Sequence, residues 1–299
     1  MDIIKNKVIY FAISIVVILI GIGFMIYNFS EGNGLFNLDI QFAGGTSIKV
    51  EQLGQDFNND DISAIVSEVI NDSCQIQRLE AFDPNTGNTN IGFSIKIRDI
   101  ENSQLADIKT KICEKYNIKD EAIESTSISP TISGEMQNKA IMAVVVSCIA
   151  MLIYVSLRFR DIKIGASCII ALVHDALIVL ACYAVFRIPF NNSFIAAILT
   201  VLGYSINASI VIFDRLRENR RRLGTKNSGE VMNISIKQSM RRSIYTSLTT
   251  FFTVAALYIF GVQSVKEFAL PIVVGIICGT YSSVCLVGSL WHMFDSIKN

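Results

Sequence analysis

Six long apolar segments alternate with polar segments along the chain. A helix of about 20 residues crosses the roughly 30 Å hydrocarbon core of a bilayer, and each apolar segment is long enough to do so. The pattern therefore predicts an α-helical integral membrane protein with six transmembrane helices. We place these spans at residues 8–28, 138–157, 164–186, 192–213, 243–262 and 268–292.

The long polar segment between the first two spans, residues 29–137, carries strand and helix patterns in turn. Apolar residues alternate within 38–48, 75–82, 89–98 and 122–129, which predicts four strands. They recur at helical spacing within 60–70 and 101–116. Pro, Gly and Asn at 83–88 predict the turn of a hairpin. The order β-α-β-β-α-β is that of the ferredoxin-like fold.

Three regions follow from these patterns. Residues 1–28 form the first transmembrane helix, 29–137 form a ferredoxin-like domain, and 138–299 form a five-helix transmembrane bundle with a loop at 214–242. Within the domain, Gly44 and Gly45 interrupt the first strand pattern. We expect them to bend an edge strand near the membrane, because glycine adopts backbone conformations that other residues avoid.

The distribution of charge predicts the orientation in the membrane. Of all residues 51% are hydrophobic and only 17% are charged, and the net charge is zero. Yet segment 29–137 holds 18 acidic and 8 basic residues, whereas basic residues crowd the loops after the second and fourth spans. Short loops rich in Lys and Arg stay in the cytoplasm. We therefore expect a multi-pass protein of the cytoplasmic membrane, with both termini cytoplasmic, an extracytoplasmic domain at 29–137, and a first span retained as an anchor.

The residues that carry common catalytic chemistry are sparse. Cys74 and Cys113 lie outside the spans and could pair, although two unpaired thiols fit better because no disulfide framework surrounds them. The two histidines, His174 and His292, have no Cys or His at ligand spacing, and no Walker sequence follows Gly45. We therefore expect no enzyme, no metal site, no cofactor and no nucleic-acid partner.

Four segments follow one another in an order that is specific to one family. They are LDIQFAGGTSIKV (38–50), ISPTISGEMQNKAIMA (128–143), FIAAILTVLGYSINASIVIFDRLRENRRR (194–222), and SMRRSIYTSLTTFFTVAALYIFG (239–261) with FALPIVVGIICGTYSSVCL (268–286). Together they resemble the SecF branch of the SecD/SecF family of protein-export membrane proteins. The resemblance covers essentially the whole chain.

The resemblance implies a fold, a function and a set of partners. SecF resembles half of an RND-type transporter, in which six spans carry one large outer loop after the first. It implies pairing with SecD, which supplies the other half, and use of the proton motive force to promote late steps of protein export. The implied partners are SecD, the SecYEG channel, the SecA ATPase, YajC and the translocating polypeptide.

One position departs from the family pattern. An Asp thought to carry the proton usually follows the string GYSIN, but here Ala208 follows Asn207. The Arg expected to face that Asp is kept as Arg242, so the candidates for an ion relay are Asp175, Asn207 and Arg242. Three interpretations remain open. In the first, Asp175 in the third span carries the proton instead. In the second, a SecD carboxylate beside Arg242 carries it. In the third, ion coupling is lost. We prefer the second, because a carboxylate in a membrane needs a partner inside the bundle.

Asp175 has a structural interpretation as well, as a hydrogen-bonded residue between helices. Three small residues in the spans, Gly203, Gly275 and Gly279, predict close helix packing, either within the chain or against SecD. Two rival functions also stand beside protein export. One is an RND-type exporter of small molecules or lipids, and the other is a passive scaffold that stabilises SecD without ion coupling.

Overall fold

A computed structural model describes residues 2–32, 34–50, 53, 56–70, 74–82, 89–98, 100–223 and 227–296. The helices are α1 (Lys7–Ser30), α2 (Ile40–Ala43), α3 (Asn59–Val69), α4 (Asn102–Tyr116), α5 (Pro130–Phe159), α6 (Ile162–Phe186), α7 (Asn192–Leu223), α8 (Ser228–Phe260), α9 (Gln263–Tyr281) and α10 (Gly288–Ser296). A π-helical segment (Ser282–Val287) joins α9 to α10, and the strands are β1 (Gly45–Val50), β2 (Gln75–Phe82), β3 (Thr89–Ile97) and β4 (Ile123–Ile128).

The chain divides into two compact units. One comprises residues 1–37, 140–259 and 266–299, and the other comprises 38–139 and 260–265. The first unit contains nearly all of the apolar helical surface. By length and composition, six helical stretches of the chain could cross a membrane. Each of them overlaps one of the six spans predicted from the sequence.

Within the first unit, helices α7 and α8 extend beyond the spans predicted for them. We predicted a loop at 214–242, but α7 continues to Leu223 and α8 begins at Ser228, so most of that segment is helical. Beyond the apolar stretch, Glu218 is flanked by Arg215 and Arg222, which form ion pairs with it at i,i+3 and i,i+4 spacing. Such pairs stabilise an exposed helix and explain why α7 does not end where its hydrophobicity does.

The second unit contains a four-stranded antiparallel sheet in the order β2-β3-β1-β4. Helices α3 and α4 supply apolar side chains to its core, among them Ile62, Val66, Ile108 and Ile112. Strands and helices alternate along the chain in the predicted order β-α-β-β-α-β. Strands β2 and β3 pair as the predicted hairpin, whose turn at 83–88 lies outside the described residues.

The start of this unit differs from the sequence prediction. We predicted a strand over 38–48, but Ile40–Ala43 forms a short helix and β1 begins only at Gly45. The two glycines do bend the chain, since φ is 75° at Gly44 and 117° at Gly45. A Cβ atom at Gly45 would lie 2.4 Å from the carbonyl oxygen of Ile97. The prediction of an edge strand is wrong, because β1 lies between β3 and β4.

Local side chains explain where the two helices of this unit begin. The side chain of Asn58 accepts a hydrogen bond from the Asp60 amide at 3.2 Å, so Asn58 caps α3. Glu101 and Gln104 form a capping box at the start of α4.

The two cysteines of this unit, Cys74 and Cys113, are both half-buried and unpaired with each other, and burial raises the pKa of each thiol.

Candidate functional site

A buried carboxylate lies inside the helical unit. Asp175, in the middle of α6, has no exposed surface. Its Oδ1 atom lies 2.9 Å from Nδ1 of His174. Its Oδ2 atom accepts hydrogen bonds from the hydroxyls of Ser205, at 2.5 Å, and Ser282, at 2.8 Å. The carboxylate thus has a polar partner from each of three elements, namely α6, α7 and the π-helical segment.

Small residues bring these elements close enough for the serine hydroxyls to reach Asp175. A Cβ atom at Gly275 would lie 2.2 Å from the Val201 side chain, and one at Gly279 would lie 3.1 Å from Ser205 Cβ. Helix α9 therefore packs on α7 through these two glycines. The sequence left open whether they face this chain or SecD, and the structure places both against the chain's own fourth span.

The π-helical segment begins at the residue that contacts Asp175. Pro271 lies inside α9, and Ser282 opens the wider turn that ends at Val287. Ser282 and Ser283 are both fully buried. A π turn inserts an extra residue into a helix and changes the direction of the side chains that follow, and such turns are frequent at functional sites. No pattern in the sequence indicated this segment.

His174 connects the carboxylate to the first span. This residue is 8% exposed, its ring lies 6.3 Å from that of Tyr281, and Tyr281 donates a hydrogen bond to the Tyr10 carbonyl at 2.8 Å. When Asp175 is ionised, Nδ1 of a neutral His174 donates to it, which leaves Nε2 with a lone pair. Nε2 is buried and has no hydrogen-bond partner within the described part of the chain.

The other two relay candidates lie elsewhere. Arg242 and Asn207 are exposed side chains on α8 and α7, and Ala208 is half-buried. Within the described ranges Arg242 forms no ion pair, although its carbonyl oxygen accepts a hydrogen bond from Thr246. The structure therefore joins Asp175 to His174 and two serines, and it does not bring Arg242 or Asn207 to them.

Arg242 belongs to a polar stripe along the surface of α8. Thr246, Thr249 and Thr253 follow it at spacings of four, three and four residues, and all of these side chains are exposed. Residues at that spacing share one helix face. On α7, Gly203 and Asn207 are exposed too, and a Cβ atom at Gly203 would meet nothing within 4 Å. Gly203 thus does not share the packing role of Gly275 and Gly279 inside this chain.

Sequence reasoning missed the partners of Asp175. It did not connect Ser205 or Ser282 with Asp175, although both hydroxyls donate to the carboxylate. Serine usually bonds to its own helix in an apolar segment, as Ser289 does here, so composition gave no reason to select these two. The only available signal was the adjacent pair of ionisable residues, His174 and Asp175, in the middle of a span.

The family, sequence and structure comparisons all match protein-export proteins of the SecD/SecF type. The family model described as "Protein export membrane protein SecD/SecF, C-terminal" matches residues 108–296. The chain is 37% identical over 303 residues to the protein translocase subunit SecF of Calditerrivibrio nitroreducens, covering 99% of this chain and 95% of that protein. It is 32% identical over 291 residues to SecF of Borreliella burgdorferi, with 96% and 95% covered.

Two further comparisons involve fused proteins. The protein translocase subunit SecDF of Brucella abortus is 33% identical over 260 residues, which cover 87% of this chain and 33% of that protein. The crystal structure of SecDF from Thermus thermophilus, a translocon-associated membrane protein, matches with a TM-score of 0.83 at 28% identity. That match covers 99% of this chain and 39% of the SecDF chain.

Proposed function

Because the chain belongs to the SecD/SecF family of protein-export membrane proteins, we propose that it works as the SecF-type half of a SecD–SecF pair. One observation carries this proposal. Almost the whole chain matches 39% of the fused SecDF chain, and two separately encoded SecF subunits match it from end to end. A SecD polypeptide would supply the remaining part.

The polar stripe on α8 supports a partner inside the membrane. Arg242, at the start of the fifth span, is exposed and has no ion-pair partner among the described residues, and an Arg beside a lipid-facing span is costly unless it pairs or reaches the headgroups. The three threonines each donate to a carbonyl oxygen of α8 itself, so only the charge of Arg242 requires a partner. A partner helix with a carboxylate would remove that cost. We propose that SecD covers the stripe and the exposed face of α7 at Gly203 and Asn207.

We propose that export is coupled to the proton motive force through a SecD carboxylate beside Arg242. The family pattern places the proton carrier at position 208, where this chain has Ala, while Arg242 is kept and points outward. A guanidinium without a carboxylate partner among the described residues of its own chain suits a carboxylate from the partner subunit. In this arrangement Arg242 stabilises the ionised form of the SecD carboxylate, and Asn207 lies on the exposed face of α7 that SecD covers.

Asp175 is the second candidate for the proton load. A specific observation favours it, because the buried His174 Nε2 next to this carboxylate has no partner among the described residues and could accept a proton. The three polar partners of Asp175 equally suit a structural residue that joins three helices. A passive scaffold that stabilises SecD remains the alternative function if neither carboxylate carries protons.

We further propose an orientation and a domain assignment. The basic loops favour cytoplasmic termini and an extracytoplasmic 29–137, and the strand order β2-β3-β1-β4 supports a ferredoxin-like domain there. In that orientation the domain meets the polypeptide as it leaves the SecYEG channel driven by SecA, with YajC as a further partner. An RND-type exporter of small molecules is the rival function.

Purification from native membranes tests the pairing. A tagged chain should recover SecD in about equal amount, whereas a periplasmic or outer-membrane adaptor in its place would support the exporter. Arg242→Ala should lower SecD recovery and export at normal abundance of the chain. The matched control is Arg241→Ala, because Arg241 lies over the Tyr245 ring, 5.5 Å from its centroid, outside the stripe. Equal recovery and export with both variants would contradict the assigned interface.

The coupling is tested by restoring the family carboxylate. If Arg242 faces a proton-bearing SecD carboxylate, Ala208→Asp places a like charge near it, which raises one of the two pKa values. The pH dependence of export into membrane vesicles should then shift while abundance stays normal. If export depends on the proton gradient neither in wild type nor in the variant, ion coupling is lost and the scaffold is favoured.

A further inference from the structure

A pocket of about 310 Å³ lies where α7 leaves the apolar part of the helical unit. Its walls combine three arginines, Arg217, Arg220 and Arg221, with an apolar floor of Phe159, Ile164 and Leu216, and with Asp161. The elements that line it are the end of α5, the start of α6 and the end of α7. The pocket belongs to none of the groups assigned to pairing or coupling.

The acidic residues nearest to the pocket already have partners. The Asp161 side chain accepts a hydrogen bond from the Lys163 amide at 2.9 Å and so caps α6. Asp214 lies 3.5 Å from Arg158, and Glu218 pairs with Arg215 and Arg222. In contrast, Arg217, Arg220 and Arg221 form no ion pair within the described ranges. The pocket therefore carries excess positive charge.

The geometry of α7 separates the two sets of arginines. Positions 217, 220 and 221 centre on one side of the helix, and 215, 218 and 222 centre about 140° away from them, because each residue turns the helix by about 100°. Both carboxylate oxygens of Glu218 are engaged by Arg215 and Arg222, so Glu218 is not paired with an arginine of the pocket. Arg220 is held in place, since its guanidinium lies 5.4 Å from the centroid of the buried Trp291 ring.

The pocket lies at the depth of lipid headgroups. From Asn192 to Arg217 the helix rises about 38 Å at roughly 1.5 Å per residue, which exceeds the roughly 30 Å hydrocarbon core. A topology signal needs only a count of basic residues near a span. It does not require three arginines around one cavity with an apolar floor, whereas basic pockets between membrane helices are a known way to hold anionic headgroups.

We propose that this pocket binds an anionic phospholipid. The phosphate of the headgroup contacts Arg217 and Arg221 at the exposed rim, Arg220 adds charge from the side, and the first part of an acyl chain packs on the apolar floor. Guanidinium groups bind phosphate oxygens through paired N–H donors, which favours Arg over Lys in such a site. A free phosphate would leave the apolar floor without a partner.

Native mass spectrometry of the purified full chain tests the proposal with phosphatidylglycerol and phosphatidylcholine of identical acyl chains. The variant is Arg217→Gln/Arg221→Gln, and Arg220 is kept because it packs on Trp291. The matched control is Lys5→Gln/Lys237→Gln, which removes the same charge from two exposed side chains that both lie near Asp2 and leaves the ion pairs of α7 intact. The variant should bind phosphatidylglycerol roughly tenfold more weakly, the control within about twofold of wild type, and neither should change phosphatidylcholine binding.

Each of the following outcomes would contradict the binding of an anionic phospholipid in this pocket. Equal losses in variant and control would mean that only the net charge of this region matters. Competition by inorganic phosphate as strong as by the lipid would indicate a simple anion site. Binding of an acidic peptide without binding of phosphatidylglycerol would assign the pocket to an acidic protein segment. If the double variant cannot be purified, Arg221→Gln against Lys237→Gln gives the same comparison.

Discussion

At the scale of single residues, Asp175 connects three elements through one side chain. Ser205 brings in α7, Ser282 brings in the π-helical segment, and His174 lies next to Asp175 on α6. A buried carboxylate is costly unless its oxygens accept hydrogen bonds, and here both do. The arrangement is therefore strong only while it is complete, and removing the carboxylate leaves several buried polar groups without partners.

We predict that Asp175→Ala destabilises the purified chain by about 3 kcal/mol, in the range found when one member of a buried charged network is removed. Ser282→Ala should cost about 1 kcal/mol, because it removes a single hydrogen bond to the carboxylate. The matched control is Ser283→Ala, since Ser283 is equally buried but donates to the Thr280 carbonyl of its own helix. Unfolding in SDS titrations measures all three.

If Asp175→Ala and Ser283→Ala unfold at the same SDS fraction as wild type, Asp175 contributes nothing to the packing of the helices. The proton-load interpretation would then be the only remaining reason for a carboxylate at this position.

The two thiols of the sheet-containing unit give a pH-dependent prediction. Burial raises the pKa of Cys74 and of Cys113 above the usual thiol value, so the reactive thiolate is scarcer at pH 7 than in an exposed cysteine. Both should react with iodoacetamide more slowly than a Cys introduced at the exposed Glu114, and their rates should still be rising at a pH where the exposed thiol has levelled off. Equal rates at pH 7 would contradict the described burial.

At the scale of elements, α7 and α9 meet through two glycines. We predict that Gly275→Ala destabilises the purified chain by about 1–3 kcal/mol, because the added methyl group would lie 2.2 Å from the Val201 side chain. Val201→Ala should restore much of that loss by making room. Gly203→Ala is the control, since nothing lies within 4 Å of the added atom. SDS titration of the three variants and the double variant checks the prediction.

Hydropathy predicted most elements because a bilayer requires long apolar helices, and all six spans overlap the observed ones. Hydropathy did not predict the features that depend on local side-chain pairs or on tertiary contacts. The helical turn Ile40–Ala43 lies in a segment whose alternation predicted a strand, and Ile40 and Phe42 are both buried within it. The extension of α7 to Leu223 depends on charged side-chain pairs that hydropathy does not read.

The same reasoning explains how much of the candidate site was predictable. Asp175 attracts attention in a sequence because charge in the middle of an apolar span is costly, whereas Arg242 does so through the family pattern at the start of the fifth span. Which of them has partners inside the chain depends on how α6, α7 and the π-helical segment approach one another. That approach is set by Gly275 and Gly279 together with Val201 and Ser205, four residues that are unremarkable in composition.

At the scale of the whole molecule, the chain has an asymmetric distribution of charge. Segment 29–137 is acidic, while basic residues gather where α5, α7 and α8 have their polar ends. Arg158 of α5 pairs with Asp214 of α7, Arg220 of α7 lies over Trp291 of α10, and Asn233 near the start of α8 accepts a hydrogen bond from the Ile3 amide. These helix ends therefore lie at one end of the helical unit, together with the start of the chain.

This arrangement leads to a prediction about orientation. Short loops rich in Lys and Arg remain in the cytoplasm, so the clustered helix ends and both termini should be cytoplasmic, and the acidic segment should lie outside. In a Cys-depleted background, a membrane-impermeant maleimide added to intact spheroplasts should label Glu114→Cys and spare Asn227→Cys. Both side chains are exposed, so access to solvent within the protein does not favour either site. Permeabilised membranes provide the control, in which both should be labelled.

Because Asn227 accepts a hydrogen bond from the Glu230 amide at the start of α8, its replacement costs about 1 kcal/mol, and the abundance of the variant must be measured as well. Labelling of Asn227→Cys alone in intact spheroplasts would reverse the orientation, and it would place the sheet-containing unit on the side where no exported polypeptide emerges.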